Sequence, residues 1–175
     1  MCNKIEYLNV NEKSIYELMN SENYMEFIKS GNILLSANRD LHTIQNIRFI
    51  NEFHIEGLRE DITLRNLIFD RNVIFTARFA GITLFENIIF NGNVNFRSRF
   101  CFKDNTGNYD NRTEFRGVKF KGDVDFSGFS KIIEYKNFTF GDTAFTRKPK
   151  NLVYINDNSY FYYEVEDINL INYNS

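Results

Sequence analysis

The sequence has no tryptophan, a single proline (Pro149), two cysteines and two histidines. Each shortage removes a class of protein. So little proline, beside a large apolar fraction, argues against disorder over most of the chain. Cys2 and Cys101 are too few and too far apart for a disulfide framework. His42 and His54 have no cysteine nearby and lack metal-ligand spacing. No apolar run approaches the roughly 20 residues of a membrane helix. The opening Met1-Cys2-Asn3-Lys4-Ile5-Glu6-Tyr7 lacks the apolar stretch of a signal peptide. A cytoplasmic protein, away from the membrane, is expected. In that setting the Asn-x-Thr triplets at Asn111 and Asn137 carry little meaning.

Recognisable catalytic motifs are missing too. Gly107 and Gly117 are isolated, so no glycine-rich phosphate loop exists. No serine sits in a nucleophile elbow. Asp123 and Asp125 flank Val124 and read as the outward face of a strand rather than an acid–base pair. No catalytic, cofactor or metal site is expected, and the chain is read as a non-enzyme.

An excess of either charge is also lacking. Residues 44–145 hold 14 Lys/Arg against 13 Asp/Glu, and the whole chain is at −2. Charge alone therefore announces neither a nucleic-acid binder nor an acidic mimic of DNA.

What is abundant is phenylalanine: 19 of 29 aromatic residues, the other ten being tyrosine. The phenylalanines recur on a period, which is the first thing to seek in a sequence. Leu64-Arg65-Asn66-Leu67-Ile68-Phe69 is followed after three residues by Val73-Ile74-Phe75. Phe85 to Phe96 and Phe115 to Phe126 repeat this form, with weaker copies at Ile44 to Ile55 and Tyr135 to Thr146. Unit starts at 44, 64, 85, 115 and 135 are spaced 20, 21, 30 and 20 residues apart. Apolar pairs two residues apart lie on one side of an extended segment. Their return every five or six residues implies short strands joined by tight turns. Four such sides close a coil of about 20 residues, and five stacked coils span about 24 Å.

Stacking predicts columns. Phe49, Phe69, Phe90, Phe120 and Phe140 form one; Ile55, Phe75, Phe96 and Phe126 a second; Ile47, Leu67, Ile88, Val118 and Phe138 a third. Asn46, Asn66, Asn87, Gly117 and Asn137 fall two residues after each unit start. Asn and Gly tolerate left-handed backbone, so this column is expected at a corner.

The run Phe115-x-x-Val118-x-Phe120-x-x-x-Val124-x-Phe126 resembles the pentapeptide-repeat family, over about residues 44–146. The resemblance implies an all-β, right-handed quadrilateral β-helix. The sequence departs from the family pattern at the small inward position, where Leu67, Val73, Ile88, Val94 and Val124 replace alanine. A wider coil is expected.

Three segments follow: a helical cap over 1–43, the repeat over 44–146, and a closing segment over 147–175. For the cap, Asn11 is placed before a helix with Ile15, Leu18 and Met19 inward. A second turn carries Tyr24, Met25, Phe27 and Ile28 and stops at Gly31. The aromatic end, with Tyr154, Tyr160, Phe161, Tyr162 and Tyr163, either closes the last coil or forms a homodimer interface. The 30-residue spacing leaves a polar insertion over 101–114, read as a loop. Long loops on rigid scaffolds carry function. Lys103, Asp104, Asn105, Asn108, Tyr109, Asp110 and Arg112 are the partner-binding candidates.

The resemblance implies a non-catalytic inhibitor or protector of a nucleic-acid-handling enzyme. DNA gyrase or topoisomerase is one such target, and a defence nuclease met by an anti-CRISPR-type inhibitor is another. The alternative is a scaffolding module that binds proteins with no nucleic-acid link. A third reading is direct RNA or DNA binding by Arg65, Arg71, Arg78, Arg97, Arg99 and Arg116. A continuous acidic face would favour mimicry, a basic stripe nucleic acid, and a mixed surface a protein partner.

Overall fold

The computed structural model describes residues 5–35, 41–56, 61–76, 79, 81–97, 112–127, 138–151 and 161–163. These residues are mostly strand, with two short helices. The repeat copies stack as parallel strands. Strands β3 (Leu41–Phe49), β5 (Ile62–Phe69) and β7 (Ile82–Phe90) lie side by side in parallel register, with Phe49 opposite Phe69 and Phe69 opposite Phe90. A second parallel sheet joins β4 (Phe53–Ile55), β6 (Val73–Phe75), β8 (Val94–Phe96) and β11 (Val124–Asp125). Each trip along the chain thus adds one strand to each sheet. We call each trip a layer.

Alternation explains the burial. Ile62, Leu64, Leu67 and Phe69 of β5 point inward and are buried, whereas Thr63, Arg65 and Ile68 face outward. The inner side is built from stacked rings. Phe49, Phe69, Phe90 and Phe120 stack at centroid distances of 4.8, 5.0 and 5.0 Å. Phe75, Phe96 and Phe126 stack at 4.7 and 4.9 Å. The two columns meet edge-on, as where Phe75 and Phe90 are tilted by 75°. Offset or edge contacts of this kind add about 0.5–1.5 kcal/mol per pair beyond the area buried. The large inward residues Leu67, Val73, Ile88, Val94 and Val124 are all buried.

Asn46, Asn66 and Asn87 interrupt their long strands with φ of 56°, 51° and 53°. This left-handed backbone bends each strand into two sides, as the corner reading requires. Gly117 takes the next corner at 61°, between β9 (Arg112–Arg116) and β10 (Lys119–Phe120).

The last layer corrects the sequence alignment. Phe140 is paired with Phe115, not Phe120, in β12 (Phe138–Gly141) against β9. Phe145, in β13 (Thr143–Phe145), faces Phe120 instead, with the rings 4.8 Å apart. Phe140 stacks on Phe115 at 5.1 Å, one column over. Phe138 likewise lies opposite Thr113, and Thr143 takes the column expected for it. The corner is Asp142, at φ 53°, rather than Asn137, which lies outside the described residues. The true spacing is therefore 25 residues between Phe115 and Phe140. The cause is a degeneracy. Inward pairs recur every five residues, so sliding a layer by one side keeps the same residues inside. A slip by one residue would instead turn every side chain over.

The N-terminal residues lie under the first layer. β1 (Leu8–Val10) pairs in parallel with Ile47–Phe49. Ser14 bridges His54, and β2 (Ile33–Leu35) pairs antiparallel with β3. Between them run α1 (Ile15–Asn20) and α2 (Tyr24–Lys29). The N-cap of α1 is Ser14, not Asn11: its hydroxyl accepts from the Glu17 N–H at 3.2 Å, and Glu17 accepts from the Lys13 N–H at 2.6 Å. A serine three residues before a glutamate is the pairing that satisfies exposed N–H groups at a helix start. Ile15, Leu18 and Phe27 join the core, but Met19 and Met25 face solvent. Gly31, at φ 75°, ends α2.

Candidate interaction surface

Parallel register turns the outward side chains into rows that run across the layers. One row reads Gln45, Arg65, Glu86, Arg116, Gly141. Arg65 and Glu86 are directly opposite and form an ion pair. Glu114 lies between Arg112, at 3.3 Å, and Arg116, which also contacts it. A second row reads Arg48, Ile68, Ile89, Lys119. A third reads His54, Ile74, Asn95, Asp125. Charges also pair from layer to layer: Arg48 with Asp70 and Arg147 with Asp123, each at 2.8 Å. Among the described residues no row carries a run of one sign.

Electrostatics at these pairs follow from contact. The Asp70 carboxylate, hydrogen-bonded to Arg48, raises the guanidinium further above its ordinary range. Arg147, donating to Asp123, holds that carboxyl below the usual aspartate range, against partial desolvation. These pairs are solvent-exposed, so their value lies in geometry more than in stability.

Corners are bound by amides. Asn66 Nδ2 donates to Asn46 Oδ1 at 3.0 Å, and Asn87 Nδ2 donates to Asn66 Oδ1 at 3.4 Å. On the next corner the Asn72 side-chain oxygen accepts from the Asn93 N–H at 3.0 Å, and Asn93 accepts from the Asp123 N–H at 2.9 Å. Sequence patterns place the first column; the second is visible only once the layers are in register.

A shallow recess of about 300 Å³ opens beside the first two layers, lined by Lys13, Glu52, Phe53, His54, Asn72 and Ile74. His54 Nε2 is 2.8 Å from Thr76 Oγ1, and its Nδ1 is 3.7 Å from Glu56. Hydroxyl, imidazole and carboxylate in this order suit acyl transfer. Here the carboxylate is beyond hydrogen-bond reach; half-buried His54 stands on β4, and Glu56 and exposed Thr76 follow the ends of β4 and β6. Stacking of adjacent layers accounts for the arrangement.

Of the partner-binding candidates, Arg112 is exposed at the start of β9 and paired with Glu114. Lys103, Asp104, Asn105, Asn108, Tyr109 and Asp110 lie outside the described residues, as do Tyr154 and Tyr160. Phe161, Tyr162 and Tyr163 form β14 (Phe161–Tyr163), which adds in parallel to β13 at the far edge of the sheet. Among the described residues no three His, Cys, Asp or Glu side chains gather as a metal set, and no helix is long and apolar enough to cross a membrane.

Comparison of the chain with protein-family models, with curated proteins and with solved structures finds no match to any of them.

Proposed function

We propose that the chain is a right-handed quadrilateral β-helix of the pentapeptide-repeat type and serves as a rigid, non-catalytic surface for binding a protein. Three sides of each layer recur in register, which supports the helical part of the reading. Phe79 supports a fourth side. It is fully buried against Phe75 and Phe85, on the stretch that returns the chain from one layer to the next. In this reading residues 1–43 cap one end, residues 147–175 close or dimerise the other, and the 101–114 insertion carries partner-binding residues.

The observation that carries the functional reading is the mixed charge of the outward rows, one of which alternates in sign while the other two hold single charges between isoleucines or a neutral amide. Arg65, Glu86 and Arg116 follow one another, and neighbouring layers neutralise each other. A mimic of DNA needs a continuous acidic face, and a direct nucleic-acid binder a basic stripe. A mixed, rigid surface fits a protein partner, with the 101–114 insertion and the aromatic end as sources of specificity. A nucleic-acid-handling enzyme remains the partner class that the family resemblance implies.

The test is an affinity pull-down from the native host, read by mass spectrometry, with wild-type chain and with residues 103–112 replaced by a short Gly-Ser linker. The expected result is a specific protein partner lost with the linker variant. Gyrase subunits among the specific partners, with altered supercoiling on added protein, would support the topoisomerase version; their absence, with unchanged supercoiling, would remove it. Retention of nucleic acid alone, lost steeply with salt, would overturn the protein-partner reading.

A further inference from the structure

The N-terminal layer is unlike the rest of the surface. Among the described residues, seven of the eight exposed large apolar side chains lie within residues 5–35. They include Leu8 on β1, Tyr16 and Met19 on α1, Met25 on α2, and Leu34 and Leu35 on β2. The stacked body contributes only Ile74. These side chains share one end of the molecule. β1, Ser14 and β2 all lie on the edges of β3 and β4 turned away from the second layer. The helices plug that end with Ile15, Leu18 and Phe27, so their opposite sides face outward.

Charge distinguishes this end as well. Residues 5–35 carry five glutamates and two lysines. Glu6, Glu22 and Glu26 are exposed, and among the described residues none forms an ion pair. On the stacked body, Arg48–Asp70, Arg65–Glu86 and Arg147–Asp123 pair from layer to layer.

We propose that this end is a second interaction surface, which docks a basic amphipathic helix from a partner protein. The choice of occupant follows from the chemistry. The apolar groups are spread over two helices and two strands rather than along one strand edge. A helix, about 10 Å across with its side chains, can touch more than one of these elements at once, which an added strand cannot. Exposed Met19 and Met25 suit such a surface because thioethers adapt to the shape of what they cover. The unpaired carboxylates select lysine and arginine on the flanks of the docked helix. A second copy would set five glutamates against five, and an anionic lipid surface or a nucleic acid would be repelled. The proposal is independent of what the stacked faces and the 101–114 insertion bind.

The experiment is fluorescence anisotropy of the full chain with a labelled 18-residue Leu/Lys peptide patterned as an amphipathic helix. A Leu/Glu helix of the same pattern and an alternating Val/Lys strand peptide serve as controls. Binding of the Leu/Lys helix is expected, with affinity falling at least tenfold in Met25→Lys and in Glu22→Lys combined with Glu26→Lys. Asp123→Asn, which removes a paired carboxylate on the stacked body, is expected to leave affinity unchanged. All the substituted positions are exposed or surface-paired, and circular dichroism confirms the fold of each variant. The proposal is overturned if wild type does not bind the Leu/Lys helix, or if the Val/Lys strand binds as tightly. Equal loss in Asp123→Asn would show unspecific attraction. A sedimentation mass that halves in Met25→Lys would assign the face to a second copy.

Discussion

Asn66 holds a left-handed backbone at φ 51° and at the same time donates its side-chain amide to Asn46 in the layer below. One residue type meets both demands. Asparagine tolerates φ above zero, and stacking at strand spacing brings each amide within reach of the next. Replacing Asn66 therefore separates two costs. Asn66→Gly keeps the backbone and loses the side-chain bonds, for a cost of about 1 kcal/mol. Asn66→Ala also pays for left-handed backbone, another 1–2 kcal/mol or so. Urea unfolding at equal m-value reads both, and equal costs for the two variants would refute the corner strain.

Gly117 is where the ladder stops. A Cβ there would approach Asn87 Oδ1 at 2.7 Å, the tip of a side chain that can turn aside. Gly117→Asn is expected to extend the ladder and to be neutral or stabilising by roughly 0.5 kcal/mol, since it also removes unfolded-state freedom.

Gly92 and Gly122 are glycines for a different reason. A Cβ on Gly92 would lie 2.6 Å from the Arg71 carbonyl oxygen, and one on Gly122 would lie 2.6 Å from the Gly92 carbonyl carbon. Backbone cannot turn aside without prising the layers apart. Gly92→Ala and Gly122→Ala should each cost about 1–3 kcal/mol in the same unfolding measurement. The contrast with Gly117→Asn tests whether the layers approach as closely as these glycines require.

The Asp123–Arg147 contact gives a pH dependence. The folded-state pKa of Asp123 is lowered, chiefly by the hydrogen bond from Arg147. The folded state then binds the proton less readily than the unfolded state does. The resulting stabilisation is present above the unfolded value, about 3.9, and is lost as pH falls through the folded one. Carboxyl-detected NMR should show Asp123 titrating below that value. Arg147→Gln should return it towards the ordinary range, and an unchanged midpoint in this variant would remove Arg147 as the cause.

Much of the body was legible because a single rule, an inward pair every five residues, writes itself into the chain. Phe69, Phe90 and Phe120 announce their column, and Asn46, Asn66 and Asn87 their corner. The N-terminal layer follows no such rule. Leu8–Val10 is three residues long, has no copy elsewhere, and becomes a strand only because Ile47–Phe49 offers it an edge. Ser14 and Asn11 are both competent caps; Glu17, three residues after Ser14, is the signal that chooses between them. Met19 is exposed although it fits the apolar stripe of Ile15 and Leu18, because nothing in a stripe says which of its members faces the core. The interlayer ion pairs need register before they can be seen at all, since Arg65 and Glu86 are 21 residues apart.

The last layer exposes the limit of the rule, and it can be tested directly. A period of five leaves the register undetermined by whole sides, because either alignment buries the same phenylalanines. Asp142 accepts the left-handed turn, and Phe140 and Phe145 then stack on Phe115 and Phe120. In this register Thr139 lies opposite Glu114; displaced by one side it would lie opposite Lys119. Neighbouring parallel strands hold Cα atoms within disulfide range. With Cys2 and Cys101 replaced by serine, Thr139→Cys with Glu114→Cys should cross-link under mild oxidation, and Thr139→Cys with Lys119→Cys should not. The cost of losing the Glu114 ion pairs is small, because they are exposed. Peptide mapping after proteolysis identifies the linked pair. A cross-link only in the Lys119→Cys variant would restore the 20-residue spacing and move Phe140 back beneath Phe120.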